Sequence, residues 1–431
     1  MSDMPAEFRY ERPAETGEPL GRVVLRYTED GFLFFCVLLL SGFATFLLIG
    51  NNAETTPDAS AIARSIWYPM YLGIAVVVGL RISDFAQTLP RLLLIWLLLG
   101  LSAASVLWTY APELTTRRTI ALGFTVLFGL YLALRRDWTT TLVIVGSAWM
   151  LLAVINLLMI VAVPSMGLDV APYEGAWRGF TVQKNQLGGE MARANLIFCA
   201  LFYAHPPGRK VWGAGILLTF ALVIGSQSTT ALLTLIIPYG LFVLYMIGRR
   251  SPAYALATLY LAVVGAGTFA AALVLFRNQD QMAGLIGKDI TLTGRTDIWA
   301  ESVTSIMERP WTGYGLGAFW DDPMGPSYMM REVLEWVVPS AHNAWIEVGL
   351  ALGLPGLALM AAMTLFALLR LGLRAMQQDD PWPLIIMVQI VIFTLSESIL
   401  WAQNTFVSAL HVALLAYAFL PADYWRPRAE A

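Results

Sequence analysis

Apolar residues in this chain come in long runs rather than in alternation. Segments 31–50, 65–80, 92–109, 119–134, 139–163, 186–204, 211–226, 229–247, 253–276, 341–369, 382–402 and 404–420 are each dominated by Leu, Ile, Val, Ala, Phe and Met. A bilayer core of about 30 Å is crossed by about 20 such residues in helical form. The pattern therefore predicts an all-α polytopic membrane protein with about twelve transmembrane helices. Segment 65–80 is short, 211–247 is interrupted only by "SQST", and the last two spans meet at "WAQNTF", so ten or eleven spans fit the same pattern.

The polar segments between the runs set the organisation. Residues 1–28 read as a cytoplasmic tail, 29–276 as transmembrane helices 1–9, 277–340 as a long outer loop, 341–420 as helices 10–12 and 421–431 as a second cytoplasmic tail. Arginine and lysine test this layout, because cytoplasmic loops carry them in excess. With twelve spans and both termini inside, sixteen basic residues fall inside, including the pairs Arg135–Arg136, Arg209–Lys210 and Arg249–Arg250. The short outer loops hold five: Arg64, Arg117, Arg118, Arg178 and Lys184. Segment 277–340 is too long for a bare connector. Within it "DIWAESVTSIME" spaces Trp299, Val303 and Ile306 as one face of an amphipathic helix. Trp299 and Trp311 are expected at the membrane interface, and "GYGLGAFW" should end that helix in a glycine–aromatic turn.

Composition narrows the function. The chain is 58% hydrophobic and only 13% charged, against about a quarter charged in soluble domains. A net charge of −3 gives no reason to expect nucleic acid. Cys36 and Cys199 lie in apolar runs and read as buried thiols. The first thirty residues are polar and the first apolar run leads into further spans, so no cleavable signal peptide is expected. The three histidines, His205, His342 and His411, are assigned to inside, outside and mid-span, which leaves no metal cluster. Asp321–Asp322 reads as a solvated loop pair.

Charges at the outer face carry the candidate chemistry. Arg193 lies eight residues beyond Asn185 at the start of its span, about 12 Å along a helix. It either pairs with Glu190 as a structural element or faces a polar cavity. Glu397 is a second intramembrane acid in the outer half. Arg117 and Arg118, Lys184 and Arg295 mark starts of predicted helices, where cations and free N–H groups suit an anion. His342 stands in "VPSAHNAWIEVGL", with Ser340 expected as N-cap. In the first helical turn its imidazole would lean towards neutral and be able to accept a proton. An interfacial histidine bonded to the loop is the alternative.

Taken together, "LWTYAPELTTRRTIAL", "WRGFTVQKNQLGGEMA", "LTGRTDIWAESVTSIMERPWTGYGLGAFW" and "AHNAWIEVGLALGLPGL" resemble the O-antigen ligase and polymerase superfamily, with the nearest similarity to its ExoQ-type exopolysaccharide polymerase branch. The sequence departs from the family pattern at Gln183, where a histidine is expected in His-Lys-Asn. That position therefore does not supply an essential base.

The resemblance implies a GT-C-type glycosyltransferase of the bacterial inner membrane, inverting, without cofactor or metal, and with its active site facing the periplasm. Its donor would be an oligosaccharide on undecaprenyl diphosphate. Its acceptor would be a growing lipid-linked glycan, with a chain-length regulator or export complex as a protein partner. On this view His342 and Arg295 are catalytic. Arg118, Lys184 and Arg193 hold the diphosphate, and Asn343, Glu397, Asn185 and Tyr314 shape the surroundings. "GYGLGAFW" and the loop helix would form a lid. Ligation onto lipid A core is the alternative, and polysaccharide transport a remote one.

Overall fold

The computed structural model describes residues 20–50, 65–135, 138–170, 173–248, 295–322, 324–335 and 338–421. The expected span 253–276, the first part of the outer loop and most of both expected tails lie outside the described residues. Among the described residues every regular element is helical, apart from one isolated bridge between Leu168 and Trp177. Among the described residues five helices are long and apolar enough to cross a membrane: Pro112–Leu134, Trp138–Ala162, Pro206–Gly225, Thr229–Gly248 and Ala344–Gln378. Tyr68–Leu80 and Ile82–Thr88 form a sixth if the pair, bent by 85°, is one span. The protein is a multi-pass membrane protein.

Six helices position the site and are labelled in chain order: α1 (Pro112–Leu134), α2 (Lys184–Ala204), α3 (Arg295–Glu308), α4 (Ala344–Gln378), α5 (Trp382–Thr394) and α6 (Phe406–Phe419). Helix α2 is the centre of the bundle, buried from Leu187 through Leu201. Its small residues let neighbours approach closely. A Cβ at Gly188 would lie 2.6 Å from Ala231 and Ser226, and one at Gly189 would collide with the Phe393 ring. Two spans begin earlier than the hydrophobic runs suggest. The first described helix starts at Leu20, inside the expected tail, and α1 starts at Pro112. Arg117 and Arg118 thus sit in the second turn of α1 rather than at its entrance, because Pro112 and Glu113 form a favourable first turn.

Helix α4 is broken. Gly353 has φ 67° and ψ −167°, a backbone region almost confined to glycine, and Pro355 follows with no N–H to give. The break frees polar groups that cannot be left bare inside a membrane protein. The segment after α3 satisfies them. Tyr314 N–H donates to Leu350 O at 2.8 Å, Gly315 N–H donates to Ala351 O at 2.9 Å, and Leu354 N–H donates to Pro310 O at 2.7 Å. The fit is close, since a Cβ at Gly313 would lie 2.6 Å from the Ala351 carbonyl.

This placement corrects the expected lid. "GYGLGAFW" is wedged into the bundle, with Leu316 N–H on Ser105 Oγ at 3.1 Å, Tyr110 Oη–H on Ala318 O and Trp108 Nε1–H on Thr312 O at 2.9 Å. The loop helix also turns a different face inward from the one expected. Arg295, Ile298, Ser302 and Ile306 are buried, whereas Val303 is exposed. Trp299 is not an interfacial anchor, because its indole N–H donates to Ala341 O at 2.8 Å. Trp311 does remain exposed.

The expected span 382–402 ends at Thr394, and residues 395–405 are irregular. Side chains hold this partly buried stretch. Trp401 Nε1–H donates to Ser102 Oγ at 3.0 Å, Asn404 N–H donates to Thr125 Oγ1 at 2.9 Å, and Tyr71 Oη–H donates to Asn404 Oδ1 at 2.8 Å.

Gly353→Ala should destabilise the protein by about 2 kcal/mol, because it imposes strain and meets Pro310 O at 2.5 Å. Gly372→Ala, on the same helix with nothing within 4 Å, should be neutral or slightly stabilising. Apparent melting temperatures of the detergent-purified variants check the contrast.

Candidate active site

Four segments converge on a cavity of about 200 Å³ lined by Tyr173, Gln183, Lys184, Asn185, Arg295, Ile298 and His342. Loop 173–183 forms one wall, through Tyr173 and Gln183. It is tied to the bundle where Asn156 Oδ1 accepts from Phe180 N–H at 3.1 Å and where Trp177 N–H donates to Gly225 O at 2.9 Å. The loop delivers Gln183 as N-cap residue of α2 and Lys184 as its first residue. The Lys184 ammonium sits 4.1 Å from the centre of the Tyr173 ring and 3.4 Å from Gln227 O. Its backbone N–H donates to Asp169 Oδ2 at 3.1 Å.

Arg295 opens α3 and is buried. Its Nη1 donates to Ser396 O at 2.6 Å, and its Nη2 donates to Glu397 Oε1 at 3.3 Å. The irregular stretch after α5 thus grips the guanidinium, and Arg295 also lines the cavity. Glu397 does not line the cavity. It partly balances the charge that does.

His342 faces Arg295 across the same space. Its backbone is left-handed, with φ 49°, a conformation uncommon outside glycine. The expected cap is corrected here. Asn343, not Ser340, is the N-cap of α4, because its Oδ1 accepts from Trp345 N–H at 3.0 Å and Ile346 N–H at 3.3 Å. His342 therefore precedes the helix rather than occupying its first turn. Ser340 Oγ accepts from His342 N–H at 3.4 Å. The imidazole is half-buried and has no protein hydrogen-bond partner among the described residues. Burial first, and the charge of Arg295 second, push its pKa down to about 4.

Other expected site residues sit elsewhere. Arg118 does not line the cavity. Its Nη1 donates to Gly317 O at 2.7 Å, which pins the wedged loop to α1. Tyr314 is spent on α3, donating from its hydroxyl to Glu308 Oε2 at 2.8 Å and Ser305 O at 3.1 Å. Arg193 is fully buried, with the Phe393 ring 5.5 Å from its guanidinium carbon. No side-chain nitrogen of Arg193 has a hydrogen-bond partner among the described residues. Glu190 accepts from Gln186 Nε2–H at 3.1 Å instead of pairing with it within 4 Å. Asn185 does line the cavity, and Asn343 orders the helix start beside it.

Sequence reading missed Tyr173, Ile298 and Glu347. The Glu347 carboxylate accepts from Ala341 N–H at 2.7 Å, Trp320 Nε1–H at 3.0 Å and Ser398 Oγ–H at 3.1 Å. Its signal was available in "HNAWIE", a carboxylate in the first turn after an Asn cap. Among the described residues no group of three or more His, Cys, Asp or Glu side chains comes together.

Comparison with known proteins follows the same line. Residues 214–361 match a family model described as O-antigen ligase. The chain is 30% identical over 225 residues to the "Exopolysaccharide production protein ExoQ" of Rhizobium meliloti (strain 1021), covering 49% of this chain and 51% of that protein. The chain thus matches about half the length of that curated relative. The resemblance of the sequence to the O-antigen ligase superfamily, in its ExoQ branch, is supported by both comparisons.

His342 should titrate near pH 4 in a nitrogen-15 histidine NMR experiment on the detergent-purified protein, and Arg295→Gln should raise the midpoint towards the ordinary 6.5. Because the folded pKa lies below the unfolded one, the unfolded state binds more protons between about pH 4 and 6.5. Stability is lost as pH falls through that window. A midpoint near 6.5 in the unaltered protein would contradict this electrostatic picture.

Proposed function

We propose that this chain polymerises a surface or exopolysaccharide. It would transfer oligosaccharide repeat units from undecaprenyl diphosphate to a growing lipid-linked glycan at the periplasmic face of a bacterial inner membrane. The observation that carries this reading is the pairing of a neutral base with fixed cations around one cavity. His342, Arg295 and Lys184 face the same space, where the outer segment enters membrane helix α4.

The chemistry follows from these groups. The acceptor hydroxyl attacks the anomeric carbon of the donor and passes its proton to the imidazole of His342. The bond from that carbon to the diphosphate oxygen breaks, and the diphosphate keeps the electron pair. Arg295 and Lys184 stabilise the charge that grows on it. Attack opposite the leaving group inverts the anomeric centre. Arg295 is restrained by Ser396 and Glu397, so its donors are aimed before the donor arrives. Arg118 and Arg193 serve the walls in the conformation described. A GT-C-type architecture with about twelve spans and cytoplasmic termini belongs to the same proposal, as does a chain-length regulator or export partner.

The family description O-antigen ligase favours one second reading, transfer of the glycan to lipid A core. The ExoQ relative, named for exopolysaccharide production, weighs towards polymerisation. Deleting the gene separates the two. Loss of secreted polysaccharide with intact lipopolysaccharide supports the polymerase, and polymer accumulating on the lipid carrier supports the ligase.

His342→Ala at normal membrane abundance should cut polymer formation by about 10²–10⁴-fold, read from glycan length on gels. Arg295→Ala should do the same, and Arg295→Lys should restore only a minor part, because a point charge cannot reproduce a forked contact. Full activity in either alanine variant would remove that residue from the mechanism.

A further inference from the structure

Glu347 takes no part in the chemistry above, yet it is bonded by three segments of the site at once. Its Oε1 receives Ala341 N–H and Ser398 Oγ–H, and its Oε2 receives the Trp320 indole N–H. A carboxylate in a first helical turn ordinarily needs only solvent and the helix dipole. Here no donor comes from its own helix. One is the residue before His342, one belongs to the stretch that grips Arg295, and one belongs to the wedged loop.

The surrounding bonds show what is being held. Ala341 is fixed at both ends, by Glu347 at its N–H and by Trp299 Nε1–H at its carbonyl. Asn343 is fixed by its own cap and by donating its N–H to Ser398 Oγ at 3.1 Å. His342 lies between these two anchored residues with φ 49°, which a non-glycine residue keeps only when its neighbours over-determine it. Ser398 is the common member. Its hydroxyl bonds Glu347 and receives Asn343, and it follows Ser396 and Glu397, which hold Arg295.

We infer that Glu347 is a positioning residue that sets the separation of His342 from Arg295, by bolting the His342 backbone to the Ser396–Ser398 stretch. The inference rests on the reading of His342 as the base, and it gives Glu347 no contact with substrate. It also explains why Trp320 is held inward, since its indole N–H completes the carboxylate.

The test uses full-length protein in nanodiscs, with hydrogen exchange of the 338–346 peptide beside kinetics on an undecaprenyl-diphosphate-linked oligosaccharide. Glu347→Ala should speed exchange of the Ala341 and Asn343 amides by at least about tenfold. It should lower kcat about 100-fold through misplacement of the base, with KM for the donor within about threefold. The acid limb of its pH profile should move up from near pH 4 as the imidazole drifts from Arg295. Glu347→Gln guards against a folding defect. It keeps an oxygen for Ala341 and Ser398 but turns an amide N–H₂ towards Trp320. Its loss should be about tenfold, and adding Trp320→Phe should recover activity several-fold by removing the opposed donors.

Unchanged exchange in Glu347→Ala would overturn the inference, as would faster exchange with unaltered kcat and pH profile. Full activity in His342→Ala would overturn the base assignment instead, while the exchange result would still decide whether Glu347 holds the segment.

Discussion

Backbone groups opened inside a membrane protein must find partners, and the break at Gly353 imposes that requirement on everything around it. Carbonyls of Leu350 and Ala351 and the N–H of Leu354 are released where water cannot serve them. The chain answers with backbone from residues 310–315. That repair draws residues 310–315 down onto the bundle. Once the wedge is seated, Arg118 reaches Gly317 O, α3 lies against α4, and Trp299 reaches Ala341 O. The wedge thus holds α3, and Arg295 with it, against α4. His342, which lines the cavity with Arg295, stands about three helical turns before that break.

The site itself is balanced rather than simply positive. Arg295 has one carboxylate and one carbonyl behind it, which limit its freedom without cancelling its field. Burial first, and that field second, lower the His342 pKa and so favour the neutral imidazole. The two demands agree. On the proposed reading, the cation that would stabilise a leaving diphosphate would also hold the neighbouring imidazole in the form that takes up a proton. Lys184 approaches from the opposite wall, stacked on Tyr173. The cavity therefore offers one imidazole and two cations from three separate segments of the chain.

Much of this was legible in the sequence, and the remainder was hidden for identifiable reasons. Hydrophobic runs locate the helices. They misjudge ends such as Pro112 and Thr394, because favourable first turns and side-chain-satisfied irregular stretches do not change hydropathy. His342, Arg295, Lys184 and Asn185 could be gathered as residues at helix starts on one face, and the fold brings them round one cavity. Arg118 looked the same by that criterion but is used to hold a glycine carbonyl, a contact 199 residues away in sequence. Ser340 and Asn343 are both good cap residues by type, and only the bonds that Asn343 Oδ1 accepts from Trp345 and Ile346 N–H decide between them. Glu347 was half legible: its place in the first turn after an Asn cap is local, whereas Trp320 and Ser398 are brought to it by tertiary packing.

The central claim is that one cavity joins a neutral base to fixed cations for transfer from a lipid diphosphate. Reconstitution tests it most directly. Purified protein in proteoliposomes, given only undecaprenyl-diphosphate-linked oligosaccharide in the presence of EDTA, should release undecaprenyl diphosphate in step with the appearance of glycans lengthened by whole repeat units. Release of free carrier with no lengthened glycan, or turnover that begins only when lipid A core is added, would contradict the account.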